Sequence, residues 1–522
     1  MTAIKKKTYR RILMYTVIVI LMSFTISGLS KIIAYFNSGA DQYIETLTSG
    51  AIEEHSPKVE WSNTYERLDA AMQKTIERAY VQAWYVFNTS IEKRNVIAAQ
   101  DYFSKGLKET LQRSMTNQEK WEINRIDLCH HLEVNLFSLD RKLISFTDKD
   151  VEIRKKIRDK GTGRIIADGI EIADFSVVMV LEDGNWRIRH FHKSAGQSMS
   201  TKASSSSPSD SSFFKCSDGK FYRGDSLFLV KGINYYPAHS PWLKFWEEFN
   251  LDTIERDFKN MADLKLNTAR IFVPYGIFGK GKVSNALLNK MDQLIDLSEE
   301  YGMALIITLF DFPEGYSMRQ YAATDRQLET ILTRYSNRKN ILAWDLKNEP
   351  DRDFENYGKE TVISWLTLMA QRAREYAPRQ LITIGWSKSQ YALLLSEYLD
   401  FVSFHFYEDP SLLDRQIRTL KDSLVDKTIM IQETGMPSSS FLFLPGGGNE
   451  DDQAKYISEV LIVLRNNENT PYCLWALYDF SEAPSEVFGW KPWLKHVQKY
   501  YGLFRTDGSL KPSGIVISDY NN

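Results

Sequence analysis

Residues 341–350 of the chain read ILAWDLKNEP, an apolar run that ends in an acidic residue followed by proline. The apolar run is typical of a buried strand. Proline lacks a backbone N–H for strand pairing, so Pro350 ends the strand and begins a loop. A second stretch, TIMIQE at residues 428–433, has the same form. Glu349 and Glu433 are therefore each predicted to stand where a strand ends.

Six other stretches of the same region are equally brief, and most of them are rich in β-branched or aromatic residues. We interpret them as further strands. They cover residues 228–235, 268–273, 304–309, 381–386, 401–407 and 472–478. Helical patterns fall between them, and the clearest repeats apolar residues every three or four positions at Val362, Leu366, Met369, Ala373 and Tyr376. Eight strand–helix units in about three hundred residues predict a (β/α)8 TIM barrel.

In such a barrel, catalytic groups stand at the carboxyl ends of the strands. Glycoside cleavage needs two carboxyl groups that flank one bond, one to give a proton and one to attack or to activate water. A single acidic strand end has an ordinary structural explanation. A pair, Glu349 on the fourth strand and Glu433 on the seventh, is a much rarer coincidence and favours a glycoside hydrolase.

Residues 213–517 resemble clan A glycoside hydrolases, most closely the family 5 cellulase and β-mannanase group. The segment WDLKNEP matches the family's acid/base segment, which implies that Asn348 holds the sugar 2-hydroxyl and Glu349 protonates the leaving oxygen. The segment IQETG matches the nucleophile segment, which makes Glu433 the attacking carboxylate. The resemblance implies retained anomeric configuration, and neither a metal nor an organic cofactor.

Three further segments carry the resemblance, and each implies a supporting role for one or two residues. The resemblance implies that Arg270 in NTARIF hydrogen-bonds the nucleophile and that His405 in SFHFY contacts the substrate. It also implies that Tyr407 in SFHFY braces the nucleophile and that Trp475 in CLWALYDF lies under the sugar being cleaved. A buried structural ion pair is the alternative for Arg270, and core packing is the alternative for Trp475.

The two glutamates are expected to differ in pKa. A cation beside Glu433 would lower its pKa, as a nucleophile requires. Glu349 has no such partner in its own segment and would keep the raised pKa of a general acid. One departure from the family concerns the third strand, after which many members carry histidine and this chain reads LFDFP, with Asp311. The substrate is therefore left open.

The N-terminus predicts a membrane anchor over residues 1–36. Five cations precede an uncharged run at residues 12–29, which residues 32–36 extend: Lys5, Lys6, Lys7, Arg10 and Arg11. The run is near the lower length limit for a spanning helix. The cations would stay cytoplasmic and send the rest of the chain to the other side. An anchor is favoured over a cleaved signal peptide, because the run exceeds a typical signal core.

Residues 59–194 follow a polar spacer (residues 37–58) and change from helical to β-rich patterns. Residues 68–103 carry apolar side chains at helical spacing, and Asp183-Gly184 lies between two β-rich runs as a hairpin turn would. Helices followed by a sheet that closes on a DGNWRI hairpin resemble the α+β NTF2-like (SnoaL-like) cone. That superfamily includes enzymes, ligand binders and structural modules, so the role stays open. The histidines of this region could line a cavity, but ordinary sheet and surface positions are favoured for them: His130, His131, His190 and His192.

Composition limits the classes of partner and of cysteine site that the chain is expected to have. The 65 basic and 67 acidic residues leave a net charge of −2, which gives no reason to expect nucleic acid. The three cysteines are widely spaced and lack CxxC spacing, so neither a disulfide framework nor a zinc site is predicted.

The predicted protein is multidomain and single-pass, with its NTF2-like domain, a serine-rich linker (residues 195–212) and the barrel (residues 213–522) on the extracytoplasmic side. Its predicted reaction is hydrolysis of a β-linked polysaccharide, with transglycosylation as a second outcome and envelope polysaccharide machinery as a candidate partner. The alternative is a non-catalytic carbohydrate-binding or scaffold protein of polysaccharide synthesis or export, in which the NTF2-like domain docks partners. A third interpretation makes that domain the principal active unit.

Overall fold

The computed structural model describes residues 55–62, 68–94, 96, 98–104, 107–108, 121–193, 212–311, 315–439 and 448–521. The chain forms two compact units, Met1–Thr201 and Lys202–Asn522. The predicted anchor, most of the predicted spacer and nearly all of the predicted linker lie outside the described residues. Within the described ranges, no helix combines the length and the apolar character that a bilayer crossing needs.

The first unit packs one long helix, α1 (Ala70–Lys93), on a five-stranded sheet. The helix begins after Asp69, whose carboxylate accepts a hydrogen bond from the Met72 backbone N–H at 2.9 Å and so caps a free donor of the first turn. The strands pair in the order β1-β2-β3-β4-β5, parallel between β1 and β2 and antiparallel elsewhere. They are Lys58–Trp61, Trp121–Phe137, Leu143–Asp159, Ile165–Glu182 and Asn185–Lys193.

Aromatic side chains fill the space between α1 and this sheet. The Trp84 ring meets Phe175 edge-on at 4.9 Å, and the Tyr80 ring meets Phe146 edge-on at the same separation. All four side chains are buried in one apolar cluster. Edge-to-face pairs of this kind add to the stabilisation that burial alone provides.

His130 lies on β2, as expected of a sheet histidine, but its side chain is enclosed in this core and not at the surface. Its Nδ1 is 2.7 Å from Asp148 Oδ2, and its Nε2 is 3.0 Å from Asp127 Oδ2. His55 Nε2 lies 2.9 Å from the same oxygen of Asp127, and the Tyr80 hydroxyl donates to Asp148 at 2.7 Å. These five residues form the His130 network. Burial would lower the pKa of His130, but the two carboxylates raise it to about 10.

The second unit contains a closed barrel of eight parallel strands in the order β10-β11-β12-β13-β14-β15-β16-β9. The predicted barrel is confirmed. Its strands are β9 (Lys231–Asn234), β10 (Thr268–Pro274), β11 (Ala304–Asp311), β12 (Ile341–Asn348), β13 (Leu381–Trp386), β14 (Phe401–Phe406), β15 (Thr428–Thr434) and β16 (Tyr472–Leu474).

Helices alternate with these strands and surround the barrel. They are α2 (Lys244–Glu247), α3 (Leu251–Asp263), α4 (Asn285–Glu300), α5 (Tyr321–Tyr335), α6 (Phe354–Tyr357), α7 (Lys359–Tyr376), α8 (Leu413–Ser423), α9 (Glu450–Asn466), α10 (Ser485–Phe488), α11 (Pro492–Gln498) and α12 (Pro512–Asn521). The last barrel strand is shorter than predicted, because the chain leaves it after Leu474 and pairs with a later segment. Ala476 N–H donates to the Tyr501 carbonyl at 3.2 Å.

The amino-terminal end of the barrel is closed by a small antiparallel sheet, β6 (Phe214–Ser217), β7 (Lys220–Arg223) and β8 (Ser226–Leu227). Its Phe221 packs edge-on against Phe401 of the barrel at 4.9 Å. The barrel itself closes between β9 and β16, where a Cβ on Gly232 would lie 2.3 Å from the Cys473 sulfur. Glycine is required at this position because the two strands approach so closely.

Candidate active site

Glu349 and Glu433 stand at the carboxyl ends of β12 and β15, the fourth and seventh strands of the barrel, and face one another. Glu349 follows the last residue of β12 and adopts left-handed backbone angles (φ 47°, ψ 50°), which are uncommon for a residue with a side chain. Glu433 lies near the end of β15, opposite His405 of β14. One carboxylate oxygen of each glutamate and one ring nitrogen of His405 lie within 4.8 Å of one another.

Arg270 holds Glu433 from the interior of the barrel. Its Nη1 donates to Glu433 Oε1 at 2.5 Å and to Asn234 Oδ1 at 2.9 Å. Its Nη2 donates to Asp345 Oδ2 at 2.7 Å and to Asn348 Oδ1 at 2.8 Å. These five residues form the Arg270 cluster. Burial would lower the pKa of Arg270, but Asp345 and Glu433 raise it above its ordinary value, so the guanidinium stays charged.

Tyr407 binds the other oxygen of Glu433. Its hydroxyl donates to Glu433 Oε2 at 2.7 Å. Burial, followed by the negative charge of Glu433, raises the pKa of Tyr407 well above its ordinary value, so the phenol keeps the proton that it donates. Both oxygens of Glu433 are therefore fixed by donors, an arrangement that orients the carboxylate.

Glu349 has a more cationic environment than its own segment suggested. His405 Nδ1 lies 3.0 Å from Glu349 Oε1, and Arg352 Nε lies 2.8 Å from Oε2. Burial would raise the pKa of Glu349, but His405, Arg352 and Lys347 together lower it below the ordinary value. The expectation of a raised pKa was wrong for the protein without substrate, first because His405 of β14 bonds Glu349 and then because Arg352 reaches back three residues across the turn at Pro350.

The remaining predicted site residues are also at this rim. Asn348 bonds Arg270, as described above, and His405 is buried between the two glutamates. Trp475 directly follows β16 and is only 8% exposed. Its ring lies edge-on to Phe272 at 6.1 Å and to Tyr236 at 6.3 Å. The structure thus brings all seven predicted residues to one end of the barrel, while their individual roles remain predictions.

The sequence analysis missed the residues that support Arg270 from behind. Asp345 accepts hydrogen bonds from Arg270, from Thr308 Oγ1 at 2.8 Å and from Gln432 Nε2 at 3.2 Å. Asn234 donates to two backbone carbonyls, Gln432 and Leu474, each at 3.0 Å. The sequence does indicate a role for Asp345, because this carboxylate lies in the middle of an apolar strand. A buried carboxylate needs a charged or hydrogen-bonding partner.

Asp311 ends β11 beside the cluster and is 4% exposed. Burial is the main reason that the pKa of its carboxyl rises to about 6, with Lys347 and Arg270 opposing the rise and Glu433 adding to it. A neutral or charged Asp311 is therefore present at the site depending on pH. This chemistry differs from that of the histidine that many family 5 members carry after the third strand.

The arrangement suits acid–base and nucleophilic chemistry at one bond. Glu349, His405 and Glu433 could together offer three ligand atoms to a metal ion. However, Arg270 already supplies a fixed positive charge to Glu433 at 2.5 Å. Oxygens within 4.8 Å of each other are closer to the ~5–5.5 Å separation of retaining glycosidases than to the ~6.5–9.5 Å separation of inverting ones.

An eight-stranded parallel barrel with two facing glutamates at its carboxyl rim defines a glycoside hydrolase domain of clan A type. Residues 230–481 match the model of the family described as Cellulase (glycosyl hydrolase family 5). The barrel domain belongs to this family, whose members are retaining enzymes.

Relatives within the family include mannosidases and a cellodextrinase. The chain is 23% identical over 266 residues to a probable mannan endo-1,4-β-mannosidase A of Aspergillus flavus, covering 40% of this chain and 67% of that protein. It is 29% identical over 172 residues to cellodextrinase A of Ruminococcus flavefaciens, covering 30% of this chain and 50% of that protein.

Among solved structures, the exo-β-1,4-mannosidase of an Opitutaceae bacterium is similar with a TM-score of 0.48 and 19% identity. That match covers 60% of this chain and 62% of the mannosidase. A family 5 mannosidase from Rhizomucor miehei is similar with a TM-score of 0.46 and 17% identity, covering 60% of this chain and 98% of that one.

Proposed function

We propose that this protein hydrolyses a β-linked polysaccharide of the mannan or glucan type with retention of anomeric configuration. The observation that carries the proposal is the pair of facing carboxylates, with oxygens within 4.8 Å, of which only Glu433 is held by Arg270 and Tyr407. This asymmetry assigns different tasks to the two glutamates.

In the first step, Glu433 attacks the anomeric carbon while Glu349 protonates the oxygen of the leaving sugar. Arg270 and Tyr407 donate to the two oxygens of Glu433 and so hold the carboxylate in position for this attack. Glu349 must hold a proton at the start. Substrate binding displaces water and weakens the contact with exposed Arg352, which raises the pKa of Glu349 so that it takes up a proton from the solvent before cleavage.

In the second step, Glu349 removes a proton from water, which attacks the glycosyl–enzyme intermediate and releases Glu433. A sugar hydroxyl in place of water would give transglycosylation. His405 Nδ1 lies 3.0 Å from Glu349 and 3.3 Å from Glu433, so the ring is within reach of both carboxylates. It can contact either one as the negative charge passes from Glu433 to Glu349.

The names of the relatives favour 1,4-linked mannan or short 1,4-linked glucan chains as substrates, since they describe mannan endo-1,4-β-mannosidases and a cellodextrinase. The test is incubation of the full chain in detergent with defined β-1,4-mannan, β-1,4-glucan and β-1,3-glucan oligosaccharides. NMR of the first product formed reads the anomer. Inverted product, or no hydrolysis of any β-glycan, would contradict the proposal.

We further propose that residues 1–36 anchor the protein in a membrane with both units on the extracytoplasmic side, near a polysaccharide that is being made or exported. The five cations before the uncharged run support this orientation. The full-length protein should stay with membranes after a high-salt wash, and external protease should reach the barrel. A soluble form that begins near residue 31 would instead indicate a cleaved signal.

The first unit is proposed to be an NTF2-like cone that docks partners of this machinery rather than catalysing a reaction. This is supported by the burial of its most chemically active group, the His130 network, in which the side chains of Asp127, His130 and Asp148 are 0% exposed. A substrate could not reach them. Retained glycosidase activity in a variant with a disabled network would agree with this assignment.

A further inference from the structure

The segment between residues 481 and 500 follows the last barrel strand and exposes two tryptophans. Trp490 is 95% exposed at the turn between α10 and α11, and Trp493 is 47% exposed in the first turn of α11. Lys491 lies between them and is also exposed. Trp490, Lys491 and Trp493 are named the Trp490 patch.

The segment leaves the carboxyl end of β16 and returns to it, so both of its ends lie at the catalytic rim. At one side, Phe488 packs edge-on against Trp242 of the loop after β9, at 5.0 Å. At the other side, His496 Nε2 lies 2.9 Å from Ser439 Oγ, in the loop that follows the strand of Glu433.

Contacts also lead directly from this segment to the nucleophile. Tyr501, which follows the segment, lies edge-on to Tyr407 at 6.0 Å between ring centres. Tyr407 in turn donates to Glu433. The segment that carries the Trp490 patch therefore ends beside a residue that contacts the nucleophile's tyrosine partner.

The tip that carries the patch has a defined shape before any ligand arrives. Lys495 Nζ donates to Ser485 Oγ at 2.5 Å and so ties α11 to α10 across the tip. Holding the patch in place in advance reduces the conformational entropy that binding must remove. Exposed apolar side chains grouped beside polar ones are typical of a surface that binds a ligand.

We propose that the Trp490 patch is a binding site for the polysaccharide chain outside the cleavage point. The C–H faces of sugar rings would stack on the two indoles, and the Lys491 ammonium would donate to hydroxyl oxygens of the same chain. This inference rests on the proposed function, since it names how the same cleft holds a long substrate. It predicts that long chains, but not short ones, depend on the patch.

The test compares full chains that carry Trp490→Ala, Trp493→Ala or both changes with the unaltered protein. For a polymeric β-1,4-glycan that the protein hydrolyses, the double variant should raise KM about tenfold, as expected for the loss of about one good stacking contact. The kcat, and kcat/KM for a short nitrophenyl β-glycoside, should stay within about twofold. Trp490→Phe, which keeps an aromatic face, should recover part of the loss.

Val425→Ala is the matched control, because Val425 is 81% exposed and lies at the opposite, amino-terminal end of the barrel, just before β15. It should leave both substrates unaffected. An unchanged KM for the polymer in the double variant would overturn the proposal. Equal losses on polymer and short glycoside would also overturn it, because the segment would then only support the catalytic rim.

Gel electrophoresis through embedded β-mannan or β-glucan separates this inference from the proposed hydrolysis. Retardation of the unaltered chain that is lost in the double variant would support the patch even if no substrate were cleaved. Equal migration of both proteins in every polysaccharide gel would count against it.

Discussion

The His130 network of the first unit and the Arg270 cluster of the barrel each hold a buried cation between two carboxylates. In the first, the cation and both carboxylates are completely enclosed, with 0% exposed side chains. In the second, Arg270 and Asp345 are equally enclosed, but Glu433 keeps 7% of its side chain exposed and the facing Glu349 keeps 13%.

This difference agrees with the proposed assignment of a structural role to the His130 network and a reactive role to the Arg270 cluster. An enclosed network exchanges hydration for hydrogen bonds and contributes to the choice of one folded state. The Arg270 cluster does this on the Asp345 side, while Glu433 remains at an open rim where a substrate atom can approach. In this proposal the two networks have similar residues, and the Arg270 cluster differs in having one carboxylate, Glu433, at the open cleft.

The largest expected effect comes from removing the exposed end of the Arg270 cluster. Glu433→Ala should reduce hydrolysis by about five orders of magnitude, the scale seen when a nucleophile is deleted. Added azide should restore part of the turnover by attacking from the vacated side, giving product of inverted configuration.

Glu349→Ala is the counterpart and should spare nitrophenyl glycosides, whose leaving groups need little protonation. NMR of the products and initial rates check both variants, and azide rescue of Glu349→Ala with inversion would exchange the two roles.

A matched pair of substitutions, Arg270→Gln and His130→Gln, compares the two networks directly. Each leaves buried carboxylates unpaired and should cost about 3–5 kcal/mol in the free energy of unfolding of its own unit. Only Arg270→Gln should lower kcat, because Glu433 loses its orienting donor. Urea unfolding and nitrophenyl glycoside kinetics measure the two effects, with exposed His190→Gln as the control.

The same pair differs in its dependence on pH. The pKa of His130 is raised to about 10, so its stabilisation is complete below its ordinary pKa of ~6.5 and is lost as pH rises through about 10. Unfolding of the first unit at pH 7 and pH 10.5 should show this loss in the natural chain and not in His130→Gln. A flat profile in both would mean that His130 is uncharged in its network.

Asp311→Asn tests a smaller effect at the edge of the Arg270 cluster. The pKa of Asp311 is raised to about 6, so the natural chain loses stability as pH rises from about 4 to about 6, where the buried carboxyl becomes charged. Asparagine removes this loss, so the variant should gain on the order of 2–3 kcal/mol over the natural chain at pH 8 relative to pH 4. Thermal midpoints at both pH values measure the gain, and Asp296→Asn on the surface is the control. Equal pH profiles would exclude a buried neutral Asp311.

The smallest effect is expected from Arg352→Ala. Arg352 is 67% exposed, so its ion pair with Glu349 is worth less than about 1 kcal/mol. Without it, the pKa of Glu349 should rise slightly. The alkaline limb of kcat/KM, which reports the protonated acid, should then move up by a few tenths of a pH unit. A shift toward lower pH would show that Arg352 does not hold Glu349 in its charged form.

Much of the barrel could be predicted from local pattern alone. Strand ends at Glu349 and Glu433 follow from short apolar runs that stop at charged residues, and parallel packing brings such ends to one rim. The resemblance to family 5 segments is what made Arg270, Asn348, His405, Tyr407 and Trp475 predictable as one group. The ion pair from Arg352 to Glu349 was not predictable, because it depends on the left-handed turn at Glu349.

The sequence by itself determined the barrel, the family of its domain and the identity of the two facing glutamates, because periodicity and short motifs encode strand ends. Only the tertiary structure decided which charges meet. Asp345 and Arg270 lie 75 residues apart, and Asp127 and His55 lie 72 apart. It also decided that His130 is enclosed while Trp490 is exposed. Burial and long-range pairing depend on how whole elements pack, and no local pattern carries that information.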